Sequence, residues 1–289
     1  MLNINDTAII VSSCDLYKDA WNPFFRLLET NWKNCPQKIY LVTESEEYYD
    51  CTFDVKCIHS ASPIWSNRII DALKQIDEKY IWFFLEDFFL EEKTNEEIIN
   101  HAVSTITSKA DIGVIKFIPN IDDNWYDKNQ VINRHFSVIP KNYKARSNLM
   151  VSLYKKDYFL KMLRKNESPW DFEKFGTYRS RKYNDKILVQ NKTEKLAFPY
   201  NYQIKYGYGI SAKKWLKNNK QLFEKYGIKV DYENLGWYQG NEKEKITGLK
   251  RSKKAKLLMP FKEPKMFWRI ILFYLKNIIY NITHIKNYF

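Results

Sequence analysis

Tyr80–Leu90, YIWFFLEDFFL, is the stretch on which the reading of this chain turns: apolar and aromatic residues run unbroken to Leu85, meet Glu86 and Asp87, and resume at once with Phe88. Such a run, rich in β-favouring aromatics, predicts a strand buried on both faces in the middle of a mainly parallel sheet. Burying an ionised carboxylate without a partner is costly, so the acidic pair should emerge at the carboxyl edge of the sheet, where open α/β folds bind ligands. There the two acids can hold a divalent cation and, through it, a diphosphate. The alternative is a strand end whose acids cap the next turn or pair with Lys or Arg. On an extended strand Glu86 and Asp87 point to opposite faces, so only a turn beginning there lets both reach one ion.

Upstream, the pattern reads β, α, β, β, α, β. Thr7–Ser12 (TAIIVS) is a short apolar strand followed by the polar loop SSCD. Asp19–Trp32 carries a helical stripe at Trp21, Phe24, Phe25, Leu28 and Trp32, with Pro23 tolerable in the first turn. Lys38–Thr43 is a second strand ending at Glu44, and Val55–His59 a weaker third. Trp65, Ile69, Leu73, Ile76 and Tyr80 fall at spacings of four, four, three and four, which predicts a helix starting at Ser62-Pro63 and delivering the chain into the central strand. Strands alternating with helices of this length give an α/β fold built on a doubly wound, mainly parallel sheet.

The segment SxxWSNRIIDALKQIDEKYIWFFLED resembles the part of GT-A glycosyltransferases in which a helix bearing an Arg or Asn precedes a strand ending in an acidic DxD-type motif. The likeness spans roughly the first 120 residues. It departs from the pattern at Phe88, where a DxD motif has its second acid. The resemblance implies a GT-A-like domain that takes a nucleotide-sugar, a UDP-sugar being favoured, with Mn or Mg as the divalent cation. It further implies that Ser12, Ser13 and Asp15 line the nucleoside pocket and that Glu44 accepts from base or ribose. Arg68 would then face the diphosphate or donor sugar, and Glu86 and Asp87 would hold the metal. From the residues alone, Ser12 and Asp15 are also good turn formers, Glu44 a helix cap and Arg68 a solvated helix residue.

Beyond Asp111–Pro119, another expected strand, PNIDDNWYDKNQ suits a polar loop over the pocket. Ser147–Tyr154 reads as a strand and Lys155–Leu163 as a short helix. In ESPWDFEKFGTYRSR, Ser168 is an expected N-cap with Pro169 at the first helical position. Asp171 and Glu173 there favour the helix dipole. PWDFE also resembles the element that carries the general base of inverting GT-A enzymes, and Trp170 or Phe172 can offer a stacking platform for a sugar. Asp171 and Glu173 diverge by about 200° around the helix, so one faces the pocket. Glu173 has the longer reach, and Asp171 is better placed to bond first-turn amides. Asp122 and Asp123 are next in line. Later, Gly207 and Gly209 permit close backbone approach near Lys213 and Lys214, which can neutralise phosphate.

The formal charge is +13, yet Lys243–Phe289 holds twelve basic residues against two acids, so the body, 1–240, is nearly balanced and the basic excess sits in a tail, 241–289. A nucleic-acid protein more often spreads its basic face over the folded domain. Within the tail, Lys262, Lys265, Arg269 and Lys276 fall on one helical stripe beside Phe267, Trp268, Ile271, Phe273, Leu275 and Ile278. The apolar run Ile270–Leu275 is too short to span a bilayer, so the pattern describes an amphipathic helix lying on an anionic membrane. The alternative is a helix docked on the domain or on a second copy of the chain, as in a homodimer. Four cysteines without CxxC spacing, and no basic-then-apolar leader, point to a cytoplasmic protein, peripheral on the inner face of the plasma membrane.

Other chemistries fit less well: the four histidines show no HxxxH spacing, and neither GxSxG, a P-loop nor GxGxxG follows the first strand. A nucleotidyltransferase forming activated sugars shares the α/β plan but would show a Gly-rich loop where this chain has SSCD. A non-catalytic basic protein binding membrane or nucleic acid is the third reading. The expectation is an inverting, hexosyltransferase-type glycosyltransferase with a lipid-linked glycan acceptor, in bacterial capsule, lipopolysaccharide or O-antigen synthesis.

Overall fold

In the computed structural model the described residues are 6–36, 38–118, 130–192, 195–201 and 209–239, together with Trp268, Ile271, Leu272 and Leu275. Two units divide the chain, Met1–Tyr238 and Gln239–Phe289. The expected polar loop at 119–129, with Asp122 and Asp123, lies outside the described residues, as do Gly207 and the basic stripe of the tail. In the second unit Trp268, Leu272 and Leu275 are helical and exposed. No helix among the described residues is long and apolar enough to cross a membrane.

The first unit opens β1 (Thr7–Ser12), a 3-10 turn (Asp15–Ala20), α1 (Trp21–Asn31), β2 (Lys38–Thr43), β3 (Val55–His59), α2 (Trp65–Gln75) and β4 (Tyr80–Leu85). It continues with α3 (Glu96–Ser108), β5 (Ile112–Lys116), β6 (Phe136–Val138), β7 (Ser152–Lys155), α4 (Lys156–Met162), α5 (Pro169–Ser180) and β8 (Lys186–Gln190). A two-stranded hairpin, β9 (Ile210–Ser211) with β10 (Lys214–Trp215), and α6 (Asn218–Lys225) follow. One eight-stranded sheet runs β3-β2-β1-β4-β7-β5-β8-β6. The first four strands are mutually parallel, and β5 pairs parallel with β8, while β7 and β6 run against their neighbours. The architecture is α/β and Rossmann-like.

The central strand owes its place to its side chains. Trp82 and Phe84 face one side of the sheet, where Trp82 meets Trp32 and Phe84 meets Phe24, both rings from the α1 region. Phe83 faces the other side against Phe159 of α4. All of these rings are buried, so both faces of β4 are covered, as a continuous apolar run requires.

Two boundaries differ from the sequence pattern for local reasons. α2 begins at Trp65 rather than at Ser62-Pro63, because the Ser62 hydroxyl accepts from the Ile64 amide at 3.3 Å and Ile64 is extended. The strand expected over Ser147–Tyr154 is confined to Ser152–Lys155. In the preceding residues side chains take the amides a sheet neighbour would use: Ser147 donates to Thr177 Oγ1 at 3.0 Å, Leu149 to Glu173 Oε1 at 2.9 Å and Met150 to Asn148 Oδ1 at 3.2 Å.

Candidate active site

Strand order reverses at β1: β2 and β3 are added on one side, β4 on the other. That is a topological switch point, where the loops leaving β1 and β4 part and where open α/β sheets form their ligand crevice, at the carboxyl edge. Both ends of this crevice carry polar residues. Ser12 and Ser13 close β1; Glu86 and Asp87 follow β4.

The acidic pair sits in a tight turn. The Phe88 amide donates to Leu85 O at 3.2 Å, so Glu86 and Asp87 occupy its two central positions and the strand's alternation no longer separates them. Both are buried, at 7% and 8% exposure. Burial, followed by repulsion from Asp87, pushes the Glu86 carboxyl well above the usual carboxylate range; Arg68 and the Ser13 hydroxyl act the other way. Asp87 is raised to about 6, chiefly by burial, although the Ile210 amide donates to its Oδ2 at 3.2 Å. The Gly209 amide donates to Asp87 O at 3.1 Å. This clamp depends on glycine: a Cβ at position 209 would lie 2.2 Å from the Phe89 ring and 3.0 Å from Asp87 O.

The β1 side is more fully engaged. Ser12 Oγ accepts from Trp65 Nε1 at 3.0 Å and Ser13 Oγ from Trp21 Nε1 at 2.7 Å, so both serines tie the crevice wall to helices. The Asp15 carboxylate accepts from the Glu44, Ser45 and Glu46 amides at 3.0–3.3 Å and from the Ser45 hydroxyl at 2.7 Å, which holds it below the usual range. Asp15 therefore fixes the loop after β2. Glu44 accepts from the Asp15 amide at 2.5 Å and pairs with Arg68 at 2.8 Å. Arg68 is 7% exposed, donates to Ser62 O, and keeps a buried Nε with no acceptor among the described residues. Burial and the Glu86 charge push the Tyr17 phenol up to about 12 and the Cys14 thiol up to about 11, which places both beside the acids.

A carboxylate-rich crevice with one guanidinium suits a cation better than a bare anion. Two adjacent buried carboxyls ionise together at least cost when a positive charge lies between them, and hard oxygen ligands are those of Mg or Mn. The residues present therefore fit such an ion.

α5 starts beside this edge. Its N-terminal neighbour Glu167 exchanges hydrogen bonds with Ser66 at the start of α2, and Phe172 packs on Trp65 with ring centroids 5.4 Å apart. Asp171 completes a capping box with Ser168, its Oδ2 accepting from the Ser168 amide at 3.1 Å and the Ser168 hydroxyl at 2.9 Å. Glu173 instead points toward the segment before β7, accepting from the Leu149 amide at 2.9 Å; burial raises its carboxyl while the Lys116 ammonium opposes the rise. Phe172 is buried in the core, so Trp170, 71% exposed, is the aromatic of the pair that is open to a ring. Lys213 lies at the tip of the β9–β10 hairpin with φ of 64°.

Lys116 is a buried cation, felt by Glu173, that periodicity does not reveal. It ends β5 in the guise of one more buried strand residue, yet its ammonium donates to Asn148 O at 2.8 Å and burial lowers it to about 7.

No family model and no curated protein matches the chain. Among solved structures it is similar to S. aureus TarS residues 1–349, at TM-score 0.45 and 12% identity over 67% of this chain and 59% of that one. It is also similar to a cytidylyltransferase from Leptospira borgpetersenii (TM-score 0.43, 10% identity, 69% of this chain and 82% of that one). A third is the glucosyl-3-phosphoglycerate synthase from Mycobacterium tuberculosis (TM-score 0.38, 7% identity, 65% and 72%). The chain thus spans about three fifths of the TarS structure. With every one of these TM-scores below 0.5, they assign no family to the chain.

Proposed function

We propose that the chain is a GT-A-type glycosyltransferase that moves a hexose from a nucleotide-sugar to a lipid-linked glycan. The observation that carries the reading is the pair of buried, adjacent carboxylates presented by a turn at the switch point of a Rossmann-like sheet. Glu86 and Asp87 would hold a divalent cation, which when bound supplies charge neutralisation for a departing nucleoside diphosphate. The remaining work falls to the chain's own groups. Ser13 and the loop pinned by Asp15 shape the nucleoside side of the crevice. Arg68, with a buried unsatisfied Nε, adds a donor for phosphate oxygens. Glu173 is the base: its raised carboxyl can take a proton from the acceptor hydroxyl, and the Leu149 amide fixes its aim.

The acceptor follows from the tail. Exposed Trp268, Leu272 and Leu275, spaced four and three along helical residues of a strongly basic segment, support attachment to an anionic membrane surface, hence a lipid-borne acceptor such as serves bacterial surface polysaccharide assembly.

The test is transfer from a panel of nucleotide-sugars to lipid-linked glycan, comparing the wild type with Glu173→Gln. The expected result is transfer that falls by about 10²–10⁴ in the variant with donor affinity unchanged. Absence of transfer from every donor, together with absence of any donor-induced thermal shift, would overturn the reading.

A further inference from the structure

At the opposite end of the sheet, α3 carries Glu97 and His101 one helical turn apart, and the residue entering β6 is His135. The ligating atoms of these three side chains all lie within 4.8 Å of one another. The two imidazoles lie with centroids 4.6 Å apart and their planes inclined by 38°. His135 is held in place from several directions: its amide donates to Asn133 Oδ1 at 2.9 Å and its carbonyl accepts from the Asn191 amide at 2.7 Å. The cluster is therefore preorganised, with one buried ligand in the bend that enters an edge strand and two exposed ligands on a helix.

The site already receives a cation. The Arg134 guanidinium donates through Nε to His135 Nε2 at 2.8 Å and through its other end to Glu97. Two of the three ligands thus direct lone pairs at one positive group. That group is weakly held, because the Arg134 and Glu97 side chains are 65% and 59% exposed, and exposed pairs of this kind contribute little.

We propose that Glu97, His101 and His135 form a binding site for a zinc-class divalent cation, with Arg134 as the resident cation that the metal displaces. Two imidazoles and one carboxylate suit Zn, Co or Ni rather than Mg or Mn, and leave a coordination position for water. The metal clasps α3 to the segment leading into β6. This centre is independent of the acidic pair after β4: β6 stands four strand positions from β4, on the order of 20 Å at the usual strand spacing.

The experiment is calorimetric titration of the untagged, chelator-treated full chain with Zn(II), and of the same protein with Co(II) read by visible absorption. One equivalent is expected to bind, with cobalt d–d bands and no thiolate charge-transfer band. Affinity should fall at least tenfold in His101→Ala and Glu97→Gln, rise in Arg134→Ala, and stay unchanged in Asp87→Asn; apo melting curves of each variant check the fold. Absence of binding, binding indifferent to His101→Ala and Glu97→Gln, or a cobalt–thiolate band would each overturn the proposal.

Discussion

Two buried acidic sites near the start of α2 are built in opposite ways. Glu167, fully buried, receives Arg179 Nη1 and Nη2 on its two oxygens at 3.0 and 2.8 Å, so its charge is matched by a forked partner. Glu86 and Asp87 are almost as deeply buried and adjacent, yet Arg68, the guanidinium whose charge acts on Glu86, is already paired with Glu44. The first arrangement holds α5 in place and asks for nothing more. The second leaves two adjacent carboxyls with one guanidinium that is already shared with another acid, a poor way to stabilise a fold and a good way to receive a cation.

Breaking the matched site should cost most. Arg179→Ala strands a buried carboxylate, and denaturant unfolding should report a loss of about 3–5 kcal/mol. Asp87→Asn without metal at neutral pH should by contrast leave stability equal or higher. Equal losses in both variants would erase the distinction. Next in size is the clamp on Asp87. Gly209→Ala forces a Cβ into the ring of Phe89, itself packed on Phe223, and should cost about 1–3 kcal/mol in the same assay. An unchanged midpoint would mean the hairpin does not brace the acid.

The smallest effect is a trend with pH. Asp87 moves from an ordinary 3.8 to about 6, and Glu86 also moves up. Between about 4 and 6 the folded chain therefore holds more protons than the unfolded one, and this pair's contribution makes stability fall as pH rises through that window. Thermal melts of the wild type against Glu86→Gln isolate the trend. Adding Mn should offset it progressively as the pair ionises; stabilisation by Mn that does not grow with pH would contradict the assignment.

Much of the framework was legible because hydrophobic period and strand length encode it: the unbroken apolar run of β4 and the stripe Trp65, Ile69, Leu73 both stand in the structure. The turn after Leu85 was the step periodicity could not decide, since a carboxylate pair reads alike on a strand or in a turn. Asp15 shows a second limit. Its residue type suits ligand binding and turn fixing equally, and only the amides of Glu44, Ser45 and Glu46 reveal which it does here. Glu97, His101 and His135 were illegible for a third reason: two come from a helix and one from a bend 34 residues after the second of them, so no spacing announces them.

The central claim is that Glu86 and Asp87 bind a diphosphate through a divalent cation, and calorimetric titration of UDP with and without Mn tests it most directly. Wild-type chain should bind UDP at least tenfold more tightly with Mn than without. Asp87→Asn should lose that increment and retain its fold. UDP affinity indifferent to Mn in the wild type, or a manganese increment that survives Asp87→Asn, would contradict the account.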